Sequence, residues 1–262
     1  MMYSARRGRM LVITGIILIA VLFVWYYRYQ DPESLTPQAI SAIHWLAQMF
    51  YVLLVACFGM ISWGLYMYHR ANISGNGLLS VISTHIDNKK SQTVFVIVIV
   101  TYGVFFSLVS GTLVYQPTVN FVEHYGVQIP SILVSPCCGD MGYMPTILVY
   151  ITEHVGLQII PLNLVLQATV SYLVALNVAL AVSAYTASRK AKGAGMVGAV
   201  TGLFVACPTC VGTLSSVFIG TASGIALSAT LSYLQTAFIA ISIPVLLITP
   251  FVLVRQIRRC RI

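Results

Sequence analysis

Apolar positions along the chain fall into six long runs, at about 10–28, 43–68, 93–115, 160–187, 196–219 and 233–254, parted by shorter polar stretches. Each run approaches or exceeds the ~20 residues that a helix needs to cross the hydrocarbon of a bilayer. The pattern predicts an all-α integral membrane protein with six transmembrane helices, built as a single polytopic membrane domain over 1–262. The first run follows Arg6, Arg7 and Arg9 and ends in WYYRYQ, with no small-residue cleavage site, so it reads as a retained anchor helix and not a removable signal.

Composition agrees with that class. Only 8% of residues are charged and 58% are hydrophobic, whereas a soluble domain carries about a quarter charged residues. A net charge of +8 would suggest nucleic acid in a soluble protein. Here the positive residues follow topology. Arg6, Arg7 and Arg9 precede the first run; Arg70, Lys89 and Lys90 separate the second from the third; Arg189, Lys190 and Lys192 separate the fourth from the fifth; Arg255, Arg258, Arg259 and Arg261 follow the sixth. Arg28 alone falls on the other side. The positive-inside rule then predicts a multi-pass protein of the cell membrane with N- and C-termini cytoplasmic, the lipid bilayer as its medium and no nucleic-acid partner. The acids are the complement: Asp31, Glu33, Glu123, Asp140 and Glu153 lie outside, and only Asp87 inside.

The stretch 116–159, which contains no Lys or Arg, is therefore external or dips inward from outside. It holds two similar phrases, PTVNFVEHYGVQIP at 117–130 and PTILVYITEHVGLQIIP at 145–161. Each opens on Pro-Thr and reaches Glu-His-x-Gly. Pro favours a first helical turn and Gly the position past the last. Two short re-entrant or interfacial helices are expected, at about 117–125 and 145–155, each too short to span. The plain reading of Glu123, His124, Glu153 and His154 is as helix-end caps. The sharper one is a metal or proton site shared by two matched pairs, since ionisable groups at membrane depth are costly.

Two cysteine clusters carry the remaining chemistry. Cys207 and Cys210, in ACPTCVGT, stand at i and i+3 and share a face of the fifth run, beside Pro208. Such a pair can form a reversible disulfide or grip a soft metal; two buried thiols filling space is the bland alternative. Cys137 and Cys138, in SPCCGDMGYMP, are followed by Met141 and Met144. Adjacent cysteines rarely bond each other, because the ring is strained; a disulfide to another part of the chain, or metal ligation, is the usual use. The turn residues around them would let CC fold back toward CPTC. Asn163, Gln167 and Ser171 form an i, i+4 polar stripe read as helix packing, with a quinone or substrate contact as the alternative.

LVSPCCGDMGYMPTILVYI, taken with GLFVACPTCVGT, resembles the CcdA/DsbD family of membrane thiol-reductant transporters, over about 35 residues. The resemblance implies a first redox position at Cys137, a second at Cys210 or Cys207, and electrons passed from a cytoplasmic thiol donor to an external acceptor.

Three functions fit the residues. The first is thiol–disulfide electron transfer, an oxidoreductase activity with Cys207, Cys210, Cys137 and Cys138 as the reacting groups and a thiol-redox protein as partner. The second is Cu(I) handling, in transport, assembly or a membrane oxidoreductase complex. Its ligands would come from Cys137, Cys138, Met141, Met144, Glu123, His124, Glu153 and His154, with copper as the metal. The third is a structural subunit of a larger membrane complex. No Walker A, Rossmann glycine pattern or catalytic serine motif is present.

Overall fold

A computed structural model describes residues 2–29, 37–73, 80, 83, 89–115, 117, 119–137, 139–188, 243–244 and 246–251. The expected span at 196–219, Cys207, Cys210, Cys138 and most of the 233–254 span lie outside the described residues. Contacts divide the chain into two compact units, Met1–Asn72 with Phe105–Gln167, and Ile73–Val104 with Ala168–Ile262.

The long helices are α1 (Met2–Arg28), α2 (Pro37–Asn72), α3 (Lys89–Val109) and α5 (Pro161–Ser188). Each contains a stretch long and apolar enough to cross a membrane: Ala5–Arg28, Ala42–Asn72, Ser91–Leu108 and Pro161–Val182. They match the first four expected runs, except that α3 stops at Val109. Gly111, at φ +72, turns the chain out of the helix, and the expected last turn becomes strand β1 (Leu113–Tyr115).

In the first unit α1 and α2 run antiparallel along a seam. On α2 the buried positions are Ile43, Ala47, Phe50, Leu54, Cys57 and Gly64, alternating in steps of three and four residues with half-buried Ile61 completing the row. Facing them on α1 are Gly8, Gly15, Ile19, Leu22 and Tyr26. That spacing averages 3.5 residues, the repeat of helices packed at a shallow crossing angle. At one end the backbones touch. A Cβ added to Gly8 would lie 2.7 Å from the Gly64 carbonyl oxygen, and one added to Gly64 would lie 2.9 Å from that of Gly8. In lipid, where apolar surface gains little by burial against apolar surface, such small-residue contacts hold helices together. At the other end aromatic rings fill the seam, with Phe50 5.8 Å from Phe23 and 5.0 Å from Tyr26.

The stretch 113–159 is not a pair of short helices, and the all-α expectation is corrected here. It forms a four-stranded antiparallel sheet, order β1-β4-β3-β2, with β2 at Ser131–Ser135, β3 at Thr146–Tyr150 and β4 at Val155–Ile159. The segment expected as a helix over 145–155 is TILVY and a turn. Its β-branched and aromatic residues lose side-chain freedom in a helix and pack well on a pleated surface. The other expected helix is present but shorter: α4, Phe121–Tyr125. Asn120 caps it by accepting from the Val122 amide at 3.0 Å, and Gly126, at φ +64, closes it. The stretch is therefore a sheet with one short helix, in place of the expected pair of half-helices.

In the second unit, Val170, Leu173 and Leu246 form a buried cluster with Tyr102 and Tyr172 against it. Buried Asn177 donates to the carbonyls of Leu173 and Leu246, each at 2.9 Å, cross-linking α5 to the helical segment at 246–251.

Candidate functional site

The loop between β2 and β3, residues 136–145, carries Cys137, Met141 and Met144. Three elements hold it. The Tyr26 hydroxyl, from α1, donates to the Pro136 carbonyl at 2.6 Å. The Tyr51 hydroxyl, from α2, lies 2.6 Å from the Pro145 carbonyl and 3.0 Å from that of Ile159, so it ties the far end of the loop to the end of β4. The Leu162 amide, at the start of α5, donates to the Gly142 carbonyl at 2.9 Å. Within the loop, the Tyr143 amide donates to the Asp140 carbonyl at 3.0 Å, and Thr146 Oγ1 to the Tyr143 carbonyl at 2.7 Å. Two residues need to be glycine. Gly142 has φ +87, and a Cβ on Gly139 would lie 2.8 Å from Met144 Cγ.

Cys137 is a half-buried thiol in this frame, within electrostatic range of the Tyr26 hydroxyl. Met144 is half-buried, covers Gly139 and packs against the α1–α2 aromatic cluster; Met141 is exposed. One flank of the cysteine pair is therefore fixed by hydrogen bonds, and the thioether of Met144 is folded back over the residue two positions on. Tyr26 and Tyr51 are the site residues that a sequence reading passes over. Tyrosines near run ends read as interface anchors, yet Tyr26 is 2% exposed and buried against Phe50. A tyrosine amid Leu, Val and Phe must find a partner for its hydroxyl, and that was the available signal.

The two Glu-His pairs are brought near each other, but not as one ligand set. The second pair forms the turn between β3 and β4, and it cradles the start of α4. The Phe121 amide donates to the Glu153 carbonyl at 2.9 Å, Asn120 Nδ2 to Glu153 Oε2 at 3.1 Å, and His154 Nδ1 to the Val119 carbonyl at 2.9 Å. Phe121 is buried, with its ring 5.4 Å from that of Tyr150. Glu123 and His124 are exposed on α4, and the His124 ring meets Tyr125 edge-on at 4.8 Å. Among the described residues no group of three or more His, Cys, Asp or Glu side chains could hold a metal ion.

The polar stripe on α5 is partly accounted for by packing: Gln167 Nε2 donates to Ser107 Oγ on α3 at 2.7 Å. No protein-family model, curated protein or solved structure matches the chain.

Proposed function

We propose a six-span membrane protein, both termini cytoplasmic, that passes electrons by thiol–disulfide exchange. The observation that supports this reading most is the Cys137 loop, whose ends are tied by Tyr26 and Tyr51 hydroxyls to two membrane helices. Exchange requires a thiolate to meet a disulfide sulfur along a fixed line, so a thiol presented on a pinned turn is better placed than one on a free loop. Cys137 and Cys138 are the external exchanging thiols in this scheme, and Cys207 and Cys210 the second redox pair. Each full step moves two electrons and two protons from a dithiol to a disulfide through a mixed-disulfide intermediate; a thiol-redox protein supplies or accepts them.

The position of Met144 over Gly139 favours a second reading, Cu(I) handling, because a thioether near a cysteine pair is a soft donor set. One measurement separates the two. Membranes are acid-quenched, free thiols alkylated, disulfides reduced and alkylated with a second label, and each cysteine read by mass spectrometry. Thiol exchange predicts that Cys137, Cys207 and Cys210 shift between thiol and disulfide with the redox supply. Cysteines that stay reduced whatever the supply, and become labelled only after a copper chelator, would establish the metal reading instead. In native membranes alkylated without the acid quench, Tyr26→Phe should release one end of the loop and raise the labelling rate of Cys137 severalfold. An unchanged rate would remove the positioning argument.

A further inference from the structure

The strand order leaves β2 on an edge, with β3 on one side and no strand on the other among the described residues. The hairpin beyond it shows which way the β2 backbone groups point. The Ile151 amide donates to the Val155 carbonyl at 3.0 Å. By the alternation of an antiparallel ladder, Val149 and Ile147 also turn their polar groups toward β4, while Tyr150, Leu148 and Thr146 turn theirs toward β2. Those three stand in register with Ser131, Leu133 and Ser135. Ile132 and Val134 therefore direct their N–H and C=O groups away from the sheet. An open row of this kind is a template for another strand, and β2 carries none of the charged residues that commonly blunt one. Pro130 and Pro136, which have no N–H, bound it at either end.

The stretch 130–136 reads nearly the same in both directions: Pro-Ser-Ile-Leu-Val-Ser-Pro. Two antiparallel copies centred on Leu133 set Leu133 opposite Leu133, Ile132 opposite Val134, Ser131 opposite Ser135 and Pro130 opposite Pro136. The outward-facing pair, Ile132 and Val134, then exchanges both backbone hydrogen bonds on each side of the centre, and Leu133 meets its copy at a close position without them. Proline opposite proline leaves no N–H unmet, and the Pro136 carbonyl is already held by Tyr26. Exposure agrees with this pairing. Ile132 is 68% and Leu133 46% exposed, although Val134 between Leu133 and Ser135 packs against the α1–α2 aromatic cluster. Ile132 shares the sheet face of Val134, so the pairing lays each Ile132 beside the other copy's Val134.

We propose that β2 is the seam of a two-fold dimer, in which two copies of this chain join their sheets edge to edge through residues 130–136. The axis of such a pair stands perpendicular to the sheet. The faces that bear Val134, and the α1–α2 pairs packed on them, then lie on the same side. Two copies inserted the same way into one membrane require that arrangement. The seam is small beside the ~800 Å² that each partner buries in a standard soluble complex. Confinement to a shared membrane plane raises the effective concentration to offset this, and the dimer separates on dilution in detergent. Cys137 follows Leu133 by four positions, so the two Cys137 loops stand at opposite ends of the seam. The dimer thus stands or falls independently of the thiol chemistry.

The first test is disulfide formation in native membranes by the full chain with Cys137→Ser and Cys138→Ser. Leu133→Cys should link to itself across the axis, since a close antiparallel pair sets its Cα atoms about 4.5 Å apart, within disulfide reach. Ile132→Cys alone should not link, because its copy lies two residues along the seam, about 8 Å away. Ile132→Cys in one tagged chain should link to Val134→Cys in a differently tagged one. Linking of Leu133→Cys no faster than the parent, or equal linking of Leu133→Cys and Ile132→Cys alone, would overturn the seam. The second test needs no introduced cysteine: energy transfer between donor- and acceptor-labelled copies of the full chain in liposomes. The unmutated chain should exceed the transfer of randomly placed monomers. Leu133→Lys sets like charges opposite each other at a position exposed in the single copy, and should cut the excess severalfold. No excess in the unmutated chain, or an excess that Leu133→Lys leaves unchanged, counts against the dimer.

Discussion

The phrases 117–130 and 145–161 share Pro-Thr, Glu-His-x-Gly and a following Gln-Ile, yet one folds around a short helix and the other into two strands. The difference lies in what stands between Pro-Thr and Glu-His. In the first, Val119 leads into Asn120, whose side chain caps a helix start, and Glu123 falls in the first turn. In the second, five residues of strand-forming type, Ile147 to Ile151, intervene before Thr152. The same Glu-His is thus mid-helix in one copy and a hairpin turn in the other. The copies then use each other, because the turn of the second supplies the carbonyl and carboxylate that receive the Phe121 amide and the Asn120 side chain of the first.

The two copies should break by different routes, and the largest effects lie where they meet. Phe121 is buried against Tyr150, so Phe121→Ala should cost about 3–4 kcal/mol. Gly156, in β4, makes room for that ring: a methyl there would lie 3.5 Å from Phe121 Cε2 and 3.3 Å from the Val149 carbonyl oxygen. Gly156→Val should cost about 2–3 kcal/mol through overpacking. Both should raise amide hydrogen exchange in α4 and β4 together. Exchange confined to α4 would mean that the copies fold independently. The matching Gly126 has open space around it and φ +64. Its requirement is conformational, so Gly126→Ala should cost about 1 kcal/mol and Gly126→Asn a few tenths, measured by thermal unfolding. Equal costs at Gly126 and Gly156 would erase the distinction between a cap and a packing gap.

The long helices were legible because four runs of apolar residues of spanning length need no tertiary information. The sheet was not. Val, Ile, Leu and Tyr in TILVY read alike as strand or buried helix when the run is short, and Pro-Thr with a downstream Gly mimicked helix punctuation. The α1–α2 seam was hidden for another reason. In a helix apolar on every side, the 3.5-residue row Ile43, Ala47, Phe50, Leu54, Cys57 has no polar face to set it off, and only the small residues Gly8, Gly15 and Gly64 mark it. At the candidate site, Cys137 and Met144 were legible as soft donors in a proline-bounded turn. Their anchoring was not, since Tyr26 and Tyr51 lie 110 and 94 positions from the carbonyls they hold at Pro136 and Pro145.

The smallest expected effect is the one that decides what the Glu-His pairs are for. If the second pair is a docking turn, its groups matter and the first pair's do not. Glu153→Ala with His154→Ala removes an exposed carboxylate contact at 3.1 Å and a ring contact to Val119 at 2.9 Å. The loss should be about 1 kcal/mol, since an exposed hydrogen bond keeps water as its alternative partner. Glu123→Gln with His124→Ala touches only exposed groups and should change stability by less than about 0.5 kcal/mol. Thermal unfolding with and without added Cu(I) or Zn(II) reads both doubles. The asymmetry should persist without metal, because the contacts that produce it are between protein groups. Were the two doubles equally stable, and were each to abolish a metal-induced rise in melting temperature, the pairs would be acting as equivalent ligands. The likeness of the two phrases would then reflect shared chemistry and not one copy folding against the other.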